Sequence, residues 1–249
     1  MADYPVLRNA PIVEAVLNIG LPPNAGVTLS QLEQIGSRIK SRFPVRQERR
    51  NVGLHVSAGP HGILSLNQEA GKAVGFVYSN PESAKAVQIR LDGFSFSKLK
   101  PYSQWDEFYP EAMELWNLYL EETRTPFVSL FSLRYINQLD LPLPCDDFSE
   151  YLQTYPEIAK GIPQMLASFA LQFVVPSEDQ NVTARVQFRS DALPADAQRI
   201  PMFFDIDAFK SQQFPSSSSE INSIFEVLRN YKNRIFFSSL TERAIGLYK

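Results

Sequence analysis

The sequence predicts an α+β fold: a tandem pseudo-repeat of strand, helix, several strands and helix, whose strands form a largely antiparallel curved sheet with the helices on one face. Three observations predict it. Leu91-Asp92-Gly93-Phe94 closes an apolar run ahead of a long amphipathic segment, and Ile206-Asp207-Ala208-Phe209 does the same 115 residues later. Asn18-Ile19-Gly20-Leu21-Pro22 and Gln138-Leu139-Asp140-Leu141-Pro142 each end an apolar run, at an offset of 120. Near-equal offsets between similar strings are the signature of a unit used twice. Runs with a two-residue apolar period are also broken by single stretches with a helical period, which argues α+β over a parallel α/β sheet.

The elements follow in order. Ile12 to Leu21 alternates as a strand and stops at Pro22-Pro23-Asn24-Ala25-Gly26. Thr28 and Gln31 have the spacing of a capping box, and Leu32, Ile35, Ile39 and Phe43 mark a helix over Leu29 to Arg42. Val45 to Ser57, Ile63 to Gln68, Ala73 to Tyr78 and Ala86 to Phe96 read as four strands, the first two joined by a tight turn at Gly59-Pro60-His61-Gly62. Trp105, Phe108, Ala112, Trp116 and Tyr119 define one face of a helix from about Ser103 to Glu122, with an acidic opposite face. Phe127 to Leu141 opens the second half as a long strand. A helical stretch capped by Asp146 or Asp147 is expected toward Lys160, interrupted at Pro156. Leu166 to Val175, Val182 to Arg189 and Ile200 to Ala208 read as strands. Ser217 and Glu220 have capping-box spacing ahead of a last helix carrying Ile221, Ile224, Phe225, Leu228, Tyr231 and Ile235.

The halves divide as 1–124 and 125–249. Thr123-Arg124-Thr125-Pro126 is too short for a flexible linker, so one integrated domain is expected, its two sheets joined edge to edge about a pseudo-twofold axis. This element order resembles the saddle-shaped TATA-binding-protein class and the two-repeat ligand-binding domains of some bacterial regulators, a likeness that carries no functional residue with it.

Composition narrows the function classes. The 249 residues carry a net charge of −3, against the basic balance usual for phosphate-dominated nucleic-acid binding. A single cysteine, Cys145, permits no internal disulfide, and its place before two aspartates opposes a reactive thiolate. No apolar run approaches the roughly 20 residues of a membrane helix. Met1 to Pro5 lacks the basic-then-apolar form of an export signal, so a cytoplasmic location is expected. No Walker loop, dinucleotide fingerprint, nucleophile elbow or zinc-protease motif occurs.

Several strings resemble a sporadically distributed family of bacterial proteins of unknown function. They are Ala10-Pro11-Ile12-Val13-Glu14-Ala15; Arg90 to Phe96 followed by Tyr102 and Trp105; Arg134-Tyr135-Ile136-Asn137; and Lys232 to Phe237 with Leu240-Thr241. The resemblance spans most of the chain and implies no reaction or ligand. Patchy distribution is typical of mobile genes, which suggests a role in bacterial defence or gene conflict.

Candidate site residues come from these strings. Arg134 and Asn137 face opposite sides of a regular strand, and with Tyr135 and Trp105 they form the candidate binding set. Glu14 and Arg134 stand at equivalent places in the two halves and are expected to pair across the interface; Arg134 could instead anchor a carboxylate or phosphate. Asp205 and Asp207 project from one face of a strand, about 7 Å apart, and are weak metal candidates. His55 and His61, flanking a hairpin turn, lack further ligands at metal spacing. Arg38, Lys40, Arg42, Arg46, Arg49 and Arg50 form the one basic cluster, with Arg46, Arg49 and Arg50 the contacts for nucleic acid if it is bound at all. The expectation is a non-enzymatic ligand-binding or protein-interaction module using the open sheet face or the groove between the halves, with no cofactor. A metal-dependent hydrolase or nuclease using Asp205 and Asp207, and a nucleic-acid binder using Arg38 to Arg50, are the alternatives.

Overall fold

The computed structural model describes residues 4–58, 64–102, 104–145, 147–161, 163, 166–178, 181–194 and 196–249, with the side chains of 52–58 and 64–70 left aside. The chain runs β1 (Ile12–Gly20), α1 (Leu29–Ile39), β2 (Val45–Ala58), β3 (Leu64–Asn80), β4 (Lys85–Arg90), β5 (Gly93–Leu99) and α2 (Trp105–Thr123). It continues with β6 (Phe127–Pro142), a 3₁₀ turn at Phe148–Glu150, β7 (Phe169–Pro176), β8 (Thr183–Ser190), β9 (Arg199–Pro215), α3 (Ile221–Ser239) and α4 (Glu242–Gly246). Among the described residues the strands form one sheet in the order β2-β3-β4-β5-β1-β6-β9-β8-β7, every neighbouring pair antiparallel.

The two halves share this sheet through the β1·β6 pair at its centre. In each half the chain leaves the central strand, crosses to an outer edge, returns inward strand by strand and closes with a 19-residue helix, α2 or α3. The sheet is not strongly curled, short of the curvature expected from the sequence.

Alternation decides which face is buried. In β9 Met202, Phe204, Ile206 and Ala208 are buried while Phe203, Asp205 and Asp207 face the other way. Leu17 and Ile19 in β1, Phe94 and Phe96 in β5, and Phe131 and Leu133 in β6 are likewise buried. Helices α1, α2 and α3 lay Leu32 and Ile35, Trp116 and Tyr119, and Phe225 and Leu228 against that apolar face. Each such side chain removed from water contributes about 1.5–3 kcal/mol, and stacked aromatics such as Phe188–Phe204–Phe236 add to it.

Several elements depart from the sequence reading. The capping box forms, with the Gln31 amide donating to Thr28 Oγ1 at 3.3 Å and the Thr28 amide to Gln31 Oε1 at 2.9 Å, but α1 ends at Ile39 rather than Arg42. The strands expected at 63–68 and 73–78 are one strand, β3. Register shifts in β2 near Arg49 to Val52 absorb the apparent break, and at Gly71 a Cβ would lie 1.6 Å from the Asn51 carbonyl. The strand expected over 86–96 is two, because Leu91-Asp92 turns back and Gly93 takes φ +146°. The echo at 115 residues therefore matches a turn with the interior of β9, and Asp92 and Asp207 are not structural counterparts. Both strings of the echo at 120 do end central strands. Of the helical stretch expected toward Lys160 only the 3₁₀ turn forms, with Asp147 accepting from the Ser149 amide at 2.8 Å. Ser217 and Glu220 make no capping box: Glu220 has no side-chain cap bond, and its amide donates to Ser218 Oγ at 3.2 Å. β9 runs to Pro215, beyond Ala208, because the start of β6 extends far enough to pair with it. The turn at Gly59 to Gly62, with His61, and the His55 side chain lie outside the described residues. Among the described residues no helix is long and apolar enough to cross a membrane.

Candidate functional site

Strand β6 distributes the candidate residues between two faces. Arg134 projects from the open face, while Tyr135 and Asn137 point to the buried face beneath α3. The four candidates thus do not form one site.

On the open face Arg134 is engaged by its neighbour in β9. Its Nε donates to Asp205 Oδ1 at 2.9 Å and its Nη2 to Oδ2 at 2.5 Å, a two-pronged geometry that suits carboxylate. The ion pair expected with Glu14 is not made. Glu14 sits opposite Ile136, and its negative charge is the weakest of the carboxylate influences that raise the guanidinium's pKa, behind the Asp205 hydrogen bonds that dominate. Asp207 accepts from Ser132 Oγ at 2.5 Å and pairs with Arg185 at 3.3 Å. A cation held by Asp205 and Asp207 would have to displace two guanidinium groups, so these carboxylates make a poor metal site. Two hollows, of about 390 and 350 Å³, lie on either side of Arg134, one reaching Asn18, Ser95 and Phe209, the other Val13, Gln187 and Phe203. This face is polar and largely neutralised from within.

Most of the basic cluster is likewise matched. Arg38 pairs with Glu121 and Glu122, Arg42 with Glu111 and Glu114, Arg46 with Glu33 and Arg50 with Glu48, while Arg49 donates to Gln88. The acidic face of α2 that the helical pattern exposes is the counter-surface for Arg38 and Arg42. A cluster in which Arg38, Arg42, Arg46 and Arg50 are already paired offers phosphates less than its sequence suggests. Cys145 lies in the loop after β6, its Sγ 3.8 Å from the Asp147 carbonyl oxygen.

The buried side is different. Asn137, 2% exposed, donates to the Phe204 carbonyl at 2.9 Å. The Tyr135 hydroxyl shares a 2.7 Å hydrogen bond with that of Tyr102, and burial pushes Tyr135 well above the ordinary tyrosine value and Tyr102 to about 12. Trp105 Nε1 donates to Glu226 at 2.7 Å, and Glu226 also pairs with Arg229, whose guanidinium lies 5.2 Å from the Trp105 ring. Tyr109 donates to Asn222 at 2.6 Å. These contacts join the first half to the second along the α2–α3 seam.

Beside this network a cavity of about 200 Å³ is lined by Tyr4, Leu7 and Pro11 from the segment preceding β1, by Asn137, and by Lys232 and Phe236 of α3. Arg229 and Asn233 complete its polar wall. The segment is held at both ends: Tyr4 stacks on Phe237 at 4.8 Å, and the Gln138 amide donates to the Pro11 carbonyl at 2.8 Å. Lys232 is 8% exposed, and its Nζ lies 3.7 Å from the centre of the Tyr135 ring. Among the described residues it has no hydrogen bond and no carboxylate partner. Burial first, and then the like charge of Arg229, lower its pKa to about 7. The ring's attraction for a cation opposes this by about 0.5–2 kcal/mol.

No family model, curated protein or solved structure matches this chain.

Sequence reasoning found Asn137, Tyr135 and Trp105 but not Lys232, although its signal was present. Buried positions of α3 include Ile221, Phe225, Leu228, Lys232 and Phe236, and a lysine in that stripe breaks the apolar pattern.

Proposed function

We propose that the chain is a binding protein for a small anionic ligand, seated in the cavity between the segment before β1 and α3. One observation carries this reading: Lys232 is more than nine-tenths buried, lines a cavity, and among the described residues has no acid to balance it. Buried charges are ordinarily paired. The least exposed cation among the ion pairs of the described residues, Arg90 at 13%, follows that rule by pairing with Asp92. A ligand carboxylate or phosphate would supply the missing partner, and Arg229, Asn137 and Asn233 add polar groups around it. The volume lies below the roughly 300–1,000 Å³ of drug-sized pockets, which favours a small metabolite or the anionic end of a larger one.

The cavity lies between the halves, where a unit used twice would place a groove. The matching chain path outward from β1 and β6 supports the tandem reading. Superposition of 12–122 on 127–240 tests it, and the reading fails if those spans share no common core.

Melting the protein at pH 6 against acetate, 2-oxo acids, dicarboxylates and phosphate esters tests the ligand reading, since a ligand selective for the folded state raises the midpoint by mass action. At least one anion should stabilise the native chain and leave Lys232→Met unmoved. If none does, or if the Met variant responds equally, the cavity is not the site.

A further inference from the structure

We propose, resting on the cavity being a ligand site, that Lys232 is a nucleophile that captures a small carbonyl compound carrying an anionic group, such as a 2-oxo acid, as an imine. Three features of the geometry converge on this. The residue is more than nine-tenths buried yet lines the cavity, so a ligand seated there lies against its side chain. Among the described residues its amine is held over the Tyr135 ring face rather than by hydrogen bonds, so the lone pair is not committed to a donor there once the proton has left. Its charged neighbour on α3 is Arg229, a cation that disfavours the ammonium and can hold the ligand's anionic arm.

Desolvation beside a second cation is a recurring way to make lysine a nucleophile. With its ammonium brought down to about 7, roughly half of Lys232 is free amine at neutral pH, against about one part in 2,500 for an ordinary lysine. The step balances without a redox partner. Nζ attacks the carbonyl carbon, a C–N bond forms, and a proton passes from nitrogen to oxygen to give a carbinolamine. The C–O bond then breaks with loss of water, leaving the imine. Tyr135 acts as a positioning residue through its ring; its hydroxyl is turned to Tyr102.

The experiment is reductive trapping on the full chain at pH 7. Pyruvate or glyoxylate is added with cyanoborohydride, and the reduced adduct is located by peptide mass. The expected result is one adduct per chain, on Lys232, formed at least a hundredfold faster than on any other lysine and lost in Lys232→Arg. Adduct spread over many lysines, with Lys232 unexceptional, overturns the proposal. Mapping on the native chain decides this even if the Arg variant does not fold.

Lactate, which cannot form an imine, separates this proposal from the reading beneath it. Stabilisation by lactate and pyruvate alike without trapping leaves anion binding standing and sinks the imine. Neither stabilisation nor trapping sinks both.

Discussion

Replacing Lys232 by methionine should make the protein more stable, and by an amount that depends on pH. The folded chain binds the lysine proton with a pKa of about 7, while the unfolded chain binds it near the ordinary 10.5. Between these values the unfolded state carries the extra proton, so native stability rises with pH by about 1.4 kcal/mol per unit. Below pH 7 both states are charged and the cost of burying the ammonium is at its maximum. It is relieved as pH climbs from 7 toward 10.5. Integrating gives about 4–5 kcal/mol at pH 6 and about 2 at pH 9. The cation–π contact with Tyr135 takes back about 1 kcal/mol. Methionine keeps an unbranched chain of similar size and carries no charge. The titratable groups against Lys232 or lining its cavity are Arg229 on α3, charged throughout, Tyr135 on β6, uncharged in this range, and Tyr4 on the N-terminal segment. All remain in the variant and cancel in the difference. Urea unfolding, followed by the fluorescence of Trp105 and Trp116, measures both proteins from pH 6 to 9. The variant should be ahead by about 3–4 kcal/mol at pH 6, with the gap narrowing by about 2 kcal/mol at pH 9. A gap that does not change with pH, or a variant less stable at pH 6, would refute the buried-ammonium argument.

The other predictions follow from single contacts. Tyr102→Phe and Tyr135→Phe should each cost about 1–3 kcal/mol by leaving one buried hydroxyl without its partner, whereas the double variant should cost less than the sum of the two in urea unfolding. Arg134→Ala should destabilise by about 1–3 kcal/mol because Asp205 is mostly covered, and a cycle with Asp205→Ala should give a coupling of at least about 0.5 kcal/mol. Thr28→Ala should cost about 1 kcal/mol through loss of the α1 cap, read from the thermal midpoint. Gly93→Ala should cost more than about 2 kcal/mol in the same measurement, since φ is +146° and the added Cβ would sit 2.3 Å from the Ile19 carbonyl oxygen at the sheet centre.

Much of the fold was legible because alternation is a local property. Where the two-residue apolar period was strong, in β1, β6, β8 and the first part of β9, strand positions agree with the sequence to within a few residues. The misreadings share a cause: local signals were overridden by partners distant in sequence. Glu69 to Lys72 looks like a break but is carried through by β2, whose register shifts make room for Gly71. Leu91-Asp92 sits inside an apolar run, and only the pairing of β4 with β5 reveals it as a turn. Ser217 and Glu220 have a capping spacing, yet the chain turns first at Ser216 to Ser218, with the Ser218 amide donating to the Pro215 carbonyl at 3.0 Å.

The site was legible in pieces and not as a whole. Asn137, Tyr135 and Trp105 stood out from their motifs, but the alternation of β6 separates Arg134 from them, and nothing local to residues 134–137 says which face meets a helix. Arg134 draws attention as a lone cation in an apolar strand, yet its charge is answered by Asp205 in the adjacent strand, as Arg185 answers Asp207. Lys232 passes as an ordinary surface residue within Tyr231-Lys232-Asn233-Arg234, and its neighbours disguise it. The stripe resolves the ambiguity: four residues after Leu228 and four before Phe236, a side chain on α3 must face the sheet. No carboxylate stands in the same stripe to receive it, Glu226 being occupied by Trp105 and Arg229. A polar residue placed in a core stripe without a complement is a conflict between local pattern and packing, and such conflicts are expected to collect where a protein works rather than where it merely folds. By that criterion Arg134, paired within its own sheet, belongs to the scaffold, and Lys232 to the proposed site.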